Sequence, residues 1–331
     1  MRGIGLARLV LFVAAVITAG CAPVIALPGP AVAQPVIVDA SLVAADGATL
    51  PLRIWRPAAG AAPRAVVIAL HGFNDYRNFF ADAGAWFAER AIQAYAYDQR
   101  GFGAAPNRGL WPGERALVDD LKAAVDAVRK RHPDTPLYLL GESMGGAVIL
   151  VAMAEDRPPP VDGVILAAPA VWGRASMPWY QTTALWFAAH TLPGRQISGG
   201  NMGIVASDNI EMLKALGRDP MVIKQTRIDA VYGLVNLMDR AMAAAARIDT
   251  PTLVLYGAQD ELIPPEAVRE MTQRMPASGA PQRRVVFYPQ GFHLLLRDLQ
   301  AETVWRDIAA WIAAPRAPLP SGAEEETAAA R

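Results

Sequence analysis

The sequence predicts an α/β fold: a mostly parallel central sheet with helices on both faces and an inserted helical cap. Three observations carry this. From residue 36 onward, short apolar runs alternate with stretches of helical periodicity. The runs are continuously apolar, as in Ala65-Val66-Val67-Ile68-Ala69-Leu70, which suits strands buried on both faces. The alternation stops between residues 171 and 247 and then resumes. With 331 residues, 53% of them hydrophobic, the chain has the material for one large core with an insertion, a better fit than two independent domains.

Residues 36–39 and 50–55 are expected to form an initial strand pair. The strand 65–70 is followed by a helix over 78–90 and a strand over 94–97. Within 114–131, Leu117, Leu121, Ala124, Val125 and Val128 recur at helical spacing. The next strand, 136–140, runs into Gly141-Glu142-Ser143-Met144-Gly145-Gly146 and a helix over 145–154; a strand over 161–168 completes the first part of the core, residues 34–170. Residues 171–247 carry helical pieces without a clear strand and read as the cap. The second part of the core, 248–314, supplies a strand over 251–256, a helix over 265–273, a strand over 284–288 and a helix over 301–313. The tail 315–331, with Pro, Ala and the acidic run 324–326, is expected to be disordered.

Lys+Arg and Asp+Glu both number 31, so the chain lacks the basic footprint that nucleic-acid binding requires; small or lipidic partners are expected instead. Its one cysteine, Cys21, excludes an internal disulfide and a cysteine-rich metal site. Residues 1–33 read as an export segment and linker. Arg2 and Arg8 precede an apolar run, 9–17, too short to span a bilayer. Thr18-Ala19-Gly20-Cys21 follows and resembles the lipobox of bacterial lipoproteins. That resemblance implies cleavage before Cys21, acylation of Cys21 and membrane association in the cell envelope, with Ala22 in place of an aspartate pointing to the outer membrane. Two alternatives stay open. Ala31-Val32-Ala33 is also a cleavage pattern, which releases a soluble periplasmic or secreted protein; an uncleaved apolar N-terminus is the other.

Gly141-x-Ser143-x-Gly145 between a strand and a helix is the pattern of a nucleophile elbow, in which a tight turn presents the serine at the strand end and Gly141 and Gly145 permit close approach. A serine hydroxyl needs an adjacent base that a third group orients. Of the four histidines, His71, His132, His190 and His293, only His293 follows the late strands. Asp260, in Gly257-Ala258-Gln259-Asp260, falls after the strand 251–256 at the edge where α/β sheets bind ligands. Glu261 is the neighbouring alternative acid, and a simple turn aspartate or loop histidine also explains Asp260 or His293 taken singly. The oxyanion of acyl transfer calls for preorganised N–H donors: Met144, after the nucleophile, and Phe73 in the loop His71-Gly72-Phe73-Asn74. His71 and Gly72 support that loop, His71 more readily as a hydrogen-bonded structural imidazole than as a reactant.

Together, His71-Gly72, Asp98-Gln99-Arg100-Gly101-Phe102-Gly103, Gly141 to Gly146, Gly257 to Asp260 with Pro264, and His293 resemble the monoacylglycerol lipase and lysophospholipase branch of the α/β-hydrolase fold, also grouped with serine aminopeptidases. The resemblance covers residues 50–311. It implies the Ser143, Asp260, His293 triad, oxyanion donors at Phe73 and Met144, a helical cap, and no metal or organic cofactor. Glu142 and Phe102 depart from it, because members often carry histidine at both positions.

The expected reaction is hydrolysis of a carboxylic ester of a mono-acyl lipid through an acyl-enzyme. The same residues serve an acyltransferase if the cap excludes water. An aminopeptidase needs a cap carboxylate for the substrate ammonium, for which Asp208, Glu211 and Asp229 are available. A non-enzymatic anchored binding module with a degenerate site is the remaining alternative. The cap residues Trp172, Trp179, Tyr180, Leu185, Trp186 and Phe187 suit an acyl pocket, the packing of the cap itself, or, for 179–192, contact with a membrane surface.

Overall fold

A computed structural model describes residues 22–199, 203–276 and 283–323; Cys21 lies outside them. The strands are β1 (Val36–Val38), β2 (Ser41–Val43), β3 (Thr49–Trp55), β4 (Ala65–Leu70), β5 (Ile92–Tyr97), β6 (Leu137–Glu142), β7 (Gly163–Ala167), β8 (Gln196–Ile197), β9 (Thr226–Arg227), β10 (Thr252–Gly257) and β11 (Arg283–Tyr288). The helices are α1 (Ala81–Ala88), α2 (Glu114–Arg131), α3 (Met144–Met153), α4 (Trp179–Thr191), α5 (Ile210–Arg218), α6 (Ile228–Ala244), α7 (Pro265–Arg274) and α8 (Ala301–Ala313).

Nine strands form one sheet in the order β1-β2-β3-β5-β4-β6-β7-β10-β11, parallel from β5 to β11. Every residue of β4, β5, β6, β7 and β10 is buried, which is why these strands read as mostly apolar runs, interrupted only by Gln93, Glu142 and Thr252. Apolar faces of α2, α3, α6 and α7 fill one side of the sheet. On the other side, Phe80 and Phe87 with Ile308 and Trp311 join α1 and α8 to the strands. The chain leaves β4 toward β5 and later returns to β6 on its opposite flank, so a topological switch point lies at the carboxyl end of β4.

The expected strand pair at the start is instead a three-stranded antiparallel meander, β1-β2-β3. β1 and β2 join through a two-residue turn at Asp39 and Ala40, with Asp39 at a φ of 49° that Asp tolerates better than most side chains. Ser41-Leu42-Val43 carries too few residues to show a periodicity, so the second strand was not legible.

The expected strandless cap holds a short antiparallel ladder, Gln196 to Arg227 and Ile197 to Thr226. Its last helix, α6, packs on α3 and completes the crossover from β7 to the parallel strand β10. Functionally, the insertion therefore comprises α4, β8, α5 and β9, while α6 belongs to the core layer.

The tail, expected to be disordered, is docked on the core as far as residue 323. Arg284 donates to the carbonyls of Pro315 and Ala317, Ser321 N–H donates to Asp307, and Phe287 N–H on the edge strand β11 donates to Ala323. Leu319 is buried in the same place. The exposed edge of β11 supplies unpaired backbone groups that the tail satisfies, an attraction that composition does not register. The acidic run 324–326 lies outside the described residues.

Candidate active site

Ser143 turns the chain from β6 into α3 with φ 53° and ψ −115°, a strained conformation for a side-chain-bearing residue. The turn is over-determined. Ser143 N–H donates to Ala167 O at 2.9 Å, while Ser143 O accepts from Ala147 and Ala170. A Cβ at Gly141 would stand 2.4 Å from the Gly145 backbone, and one at Gly145 2.3 Å from the Leu70 carbonyl oxygen. Glycine at both positions is thus what lets β6, α3 and β4 close on one another.

Asp260 follows β10 and His293 follows β11, which brings them to the same carboxyl edge as Ser143. Asp260 Oδ1 accepts the N–H groups of Leu262 and Ile263 at 2.8 and 3.0 Å, leaving Oδ2 for His293 Nδ1 at 2.7 Å. A carboxylate accepting there fixes the proton on Nδ1 and leaves Nε2 as the lone-pair nitrogen. Burial pushes the His293 pKa down, but the charge of Asp260, its hydrogen bond and the charge of Glu142 outweigh that and hold it above the ordinary 6.5. Ser143 Oγ and His293 Nε2 are not hydrogen-bonded to each other. Glu261, the alternative acid, accepts Val205 N–H at 2.8 Å and so ties the cap to the core instead.

Met144 opens α3, where the first N–H groups have no intrahelical acceptor. The loop after β4 abuts it: a Cβ at Gly72 would lie 3.3 Å from Ser143 Cβ. No turn or loop hydrogen bond consumes the N–H of Phe73 or Met144. The Phe73 ring packs against Phe102 and Trp111, at 5.5 and 6.4 Å between centroids.

His71 is a structural imidazole. Its Nε2 accepts Gln99 N–H at 3.0 Å, so Nδ1–H donates to Gly72 O at 2.8 Å, and burial lowers its pKa. The run Asp98 to Gly103 is scaffold in the same sense. Asp98 Oδ1 accepts Arg77 N–H and Oδ2 accepts Ala104 N–H, while Arg100 forks onto Asp46 and Asp120.

The cap divides in two. Trp172, Met177, Leu185 and Ile223 pack partly buried against the main core, as do Leu234 of α6 and Phe73. Trp179, Tyr180 and Phe187 on α4 face outward, with Trp179 77% exposed, while the half-exposed Trp186 stacks on His190, whose ring meets Tyr232 of α6. Of the candidate carboxylates, Asp229 at the start of α6 is held by Arg227 and Val24 N–H and Asp208 accepts Leu299 N–H, while Glu211 forms only an exposed pair with Lys214.

The family model described as serine aminopeptidase, S33, matches residues 61–300. The chain belongs to the serine aminopeptidase S33 family. Within and around that family, it is 26% identical over 277 residues to a monoglyceride lipase of Mus musculus, covering 82% of this chain and 89% of the relative. It is 24% identical to a monoacylglycerol lipase of Mycolicibacterium smegmatis, covering 82% and 95%. The fold matches a soluble variant of monoglyceride lipase from Saccharomyces cerevisiae, solved with a substrate analog, with a TM-score of 0.68 at 20% identity over 88% of this chain and 97% of that one. As a member of the S33 family, the chain is a hydrolase of the α/β-hydrolase fold.

Reading residues by type passed over three polar side chains beside the site: Asp75, Arg297 and the carboxylate of Glu142. Arg297 Nη2 lies 2.7 Å from Asp75 Oδ2 and 3.0 Å from Glu142 Oε2, all buried. No spacing in the sequence signals that these three meet, because they come from segments more than 60 residues apart.

Proposed function

We propose that the protein is a serine ester hydrolase that cleaves carboxylic esters of mono-acyl lipids, monoacylglycerols or lysophospholipids, through an acyl-enzyme on Ser143. The observation that carries this reading is the buried 2.7 Å contact of Asp260 with His293 at the same sheet edge as the strained elbow. His293 Nε2 takes the Ser143 proton as Oγ attacks the ester carbon. The oxyanion is held by the N–H groups of Phe73 and Met144. On collapse, the carbon–oxygen bond of the alcohol breaks and His293 returns the proton to that alcohol. Water, deprotonated by the same imidazole, then releases the fatty acid.

The names of the relatives support the substrate class, as do the partly buried apolar residues of the cap that pack on the core. The aminopeptidase reading is weakened by the commitment of Asp208 and Asp229 to other partners.

The reading extends to an exported, envelope-anchored enzyme acylated at Cys21, with a soluble product beginning after Ala33 as the alternative. Its support is the seating of the chain that follows Cys21. Val24 N–H donates to Asp229 at the base of the cap, Ile25 bridges to Trp111, and Ala26 N–H donates to Trp111 O at 2.8 Å.

The test is turnover of an acyl-chain series of monoacylglycerols against lysophospholipids and an aminoacyl amide, with fluorophosphonate labelling of wild type and Ser143→Ala. Medium- or long-chain mono-acyl esters are expected to be fastest and Ser143→Ala not to label. Preference for the amide, or equal labelling of the variant, overturns the reading. Mass spectrometry of the native protein then distinguishes a diacylglyceryl Cys21 from a free N-terminus at Gln34.

A further inference from the structure

The reacting groups sit on separate loops: the base after β11, the nucleophile after β6 and one backbone oxyanion donor after β4. Loops are the least rigid parts of a fold, yet catalysis tolerates little misplacement. The structure contains one group that touches all three. Arg297, four residues after His293, places Nη2 2.7 Å from Asp75 Oδ2, two residues beyond Phe73, and 3.0 Å from Glu142 Oε2, the residue before Ser143. The three side chains are 9%, 9% and 1% exposed.

We propose that Arg297, Asp75 and Glu142 form a positioning unit that locks the base loop, the oxyanion loop and the nucleophile elbow into one register. The proposal rests on the triad reading given above and adds to it. Arg297 Nη2 bridges the two carboxylates, while Glu142 Oε1 and Arg297 Nε have no protein partner, so a single guanidinium nitrogen joins the three loops.

The unit also adds charge at the base. His293 is faced by Asp260 from the loop after β10, by Glu142 from the end of β6, and by Arg297 and Asp298 from its own loop. Glu142 raises the His293 pKa and Arg297 lowers it, while burial raises that of Glu142 itself. When His293 accepts the Ser143 proton, Glu142 is a second carboxyl group facing the new imidazolium, besides Asp260. The elbow position is therefore a point at which the basicity of His293 is set.

The test uses Glu142→Gln, Arg297→Met and Arg297→Lys in the full chain, with kcat and KM on a soluble short-chain ester, the pH profile of kcat/KM, and the rate of fluorophosphonate labelling. Glu142→Gln can still accept from Arg297 but loses the charge, so the acid limb of the profile should move to lower pH. Arg297→Met should lower kcat on the order of 10²-fold with KM nearly unchanged, as expected for misplaced reacting groups. Arg297→Lys, whose single nitrogen can bridge the same two carboxylates, should recover part of the loss, and it replaces Arg297→Met as the deciding variant if the latter does not fold. An unmoved acid limb in Glu142→Gln together with near wild-type kcat in the folded Arg297 variants overturns the proposal. Wild-type protein that fails to label at Ser143 overturns the triad reading instead, so the two failures are distinct.

Discussion

Asp260→Asn isolates the orientation of His293 from the packing around it. Asp260 Oδ1 accepts two backbone N–H groups, from Leu262 and Ile263. In the variant the amide oxygen must keep that position, because an NH2 group there would face two donors. The NH2 group is then forced toward His293 Nδ1, which must become an acceptor. The imidazole proton moves to Nε2, the nitrogen that has to receive the Ser143 proton. The base is then in the wrong tautomer although nothing has moved. The expected loss is about 10⁴-fold in kcat, roughly 5 kcal/mol of transition-state stabilisation. Both loop hydrogen bonds persist, so Tm should fall by no more than about 4 °C for a chain of this size. Steady-state hydrolysis of a short-chain nitrophenyl ester with thermal unfolding of the same sample measures both. Activity within tenfold of wild type would refute the tautomer reasoning. Glu261→Gln, altering the side chain that holds Val205, should leave kcat nearly intact.

Four further outcomes follow from the geometry. The base works only when neutral, and His293 titrates above its ordinary 6.5, so kcat/KM should decline on acidification with a limb above that pH; the same raised pKa stabilises the fold below pH 6.5, a contribution lost as pH rises through the folded-state pKa. Gly145→Ala would drive a Cβ to 2.3 Å from the Leu70 carbonyl oxygen, and urea unfolding should show a loss of about 3 kcal/mol or more. Trp179→Ser with Phe187→Ser removes exposed rings, so Tm and soluble-ester turnover should hold while turnover on monoacylglycerol in phosphatidylcholine vesicles falls on the order of tenfold. Deleting residues 1–33 removes the bonds from Val24 to Asp229 and from Ala26 to Trp111, and differential scanning calorimetry should register a Tm lower by about 5 °C.

The core strands, the helices 114–131 and 301–313, the elbow and the order Ser143, Asp260, His293 were legible because each is written locally. Burial on both faces makes a strand continuously apolar, helical periodicity repeats within one turn, and the elbow needs glycine at fixed offsets from its serine. Chain order then left one histidine for one role. Tertiary structure alone decided the rest. It placed Glu261 on Val205 rather than His293, turned Trp179, Tyr180 and Phe187 outward, and laid residues 315–323 along β11. It also brought Asp75, Glu142 and Arg297 together. These outcomes depend on contacts between segments far apart in the chain. Residue type and spacing carry no record of such contacts, because the same carboxylate or aromatic ring is equally compatible with solvent, a backbone N–H or a buried cation until the fold selects its neighbour.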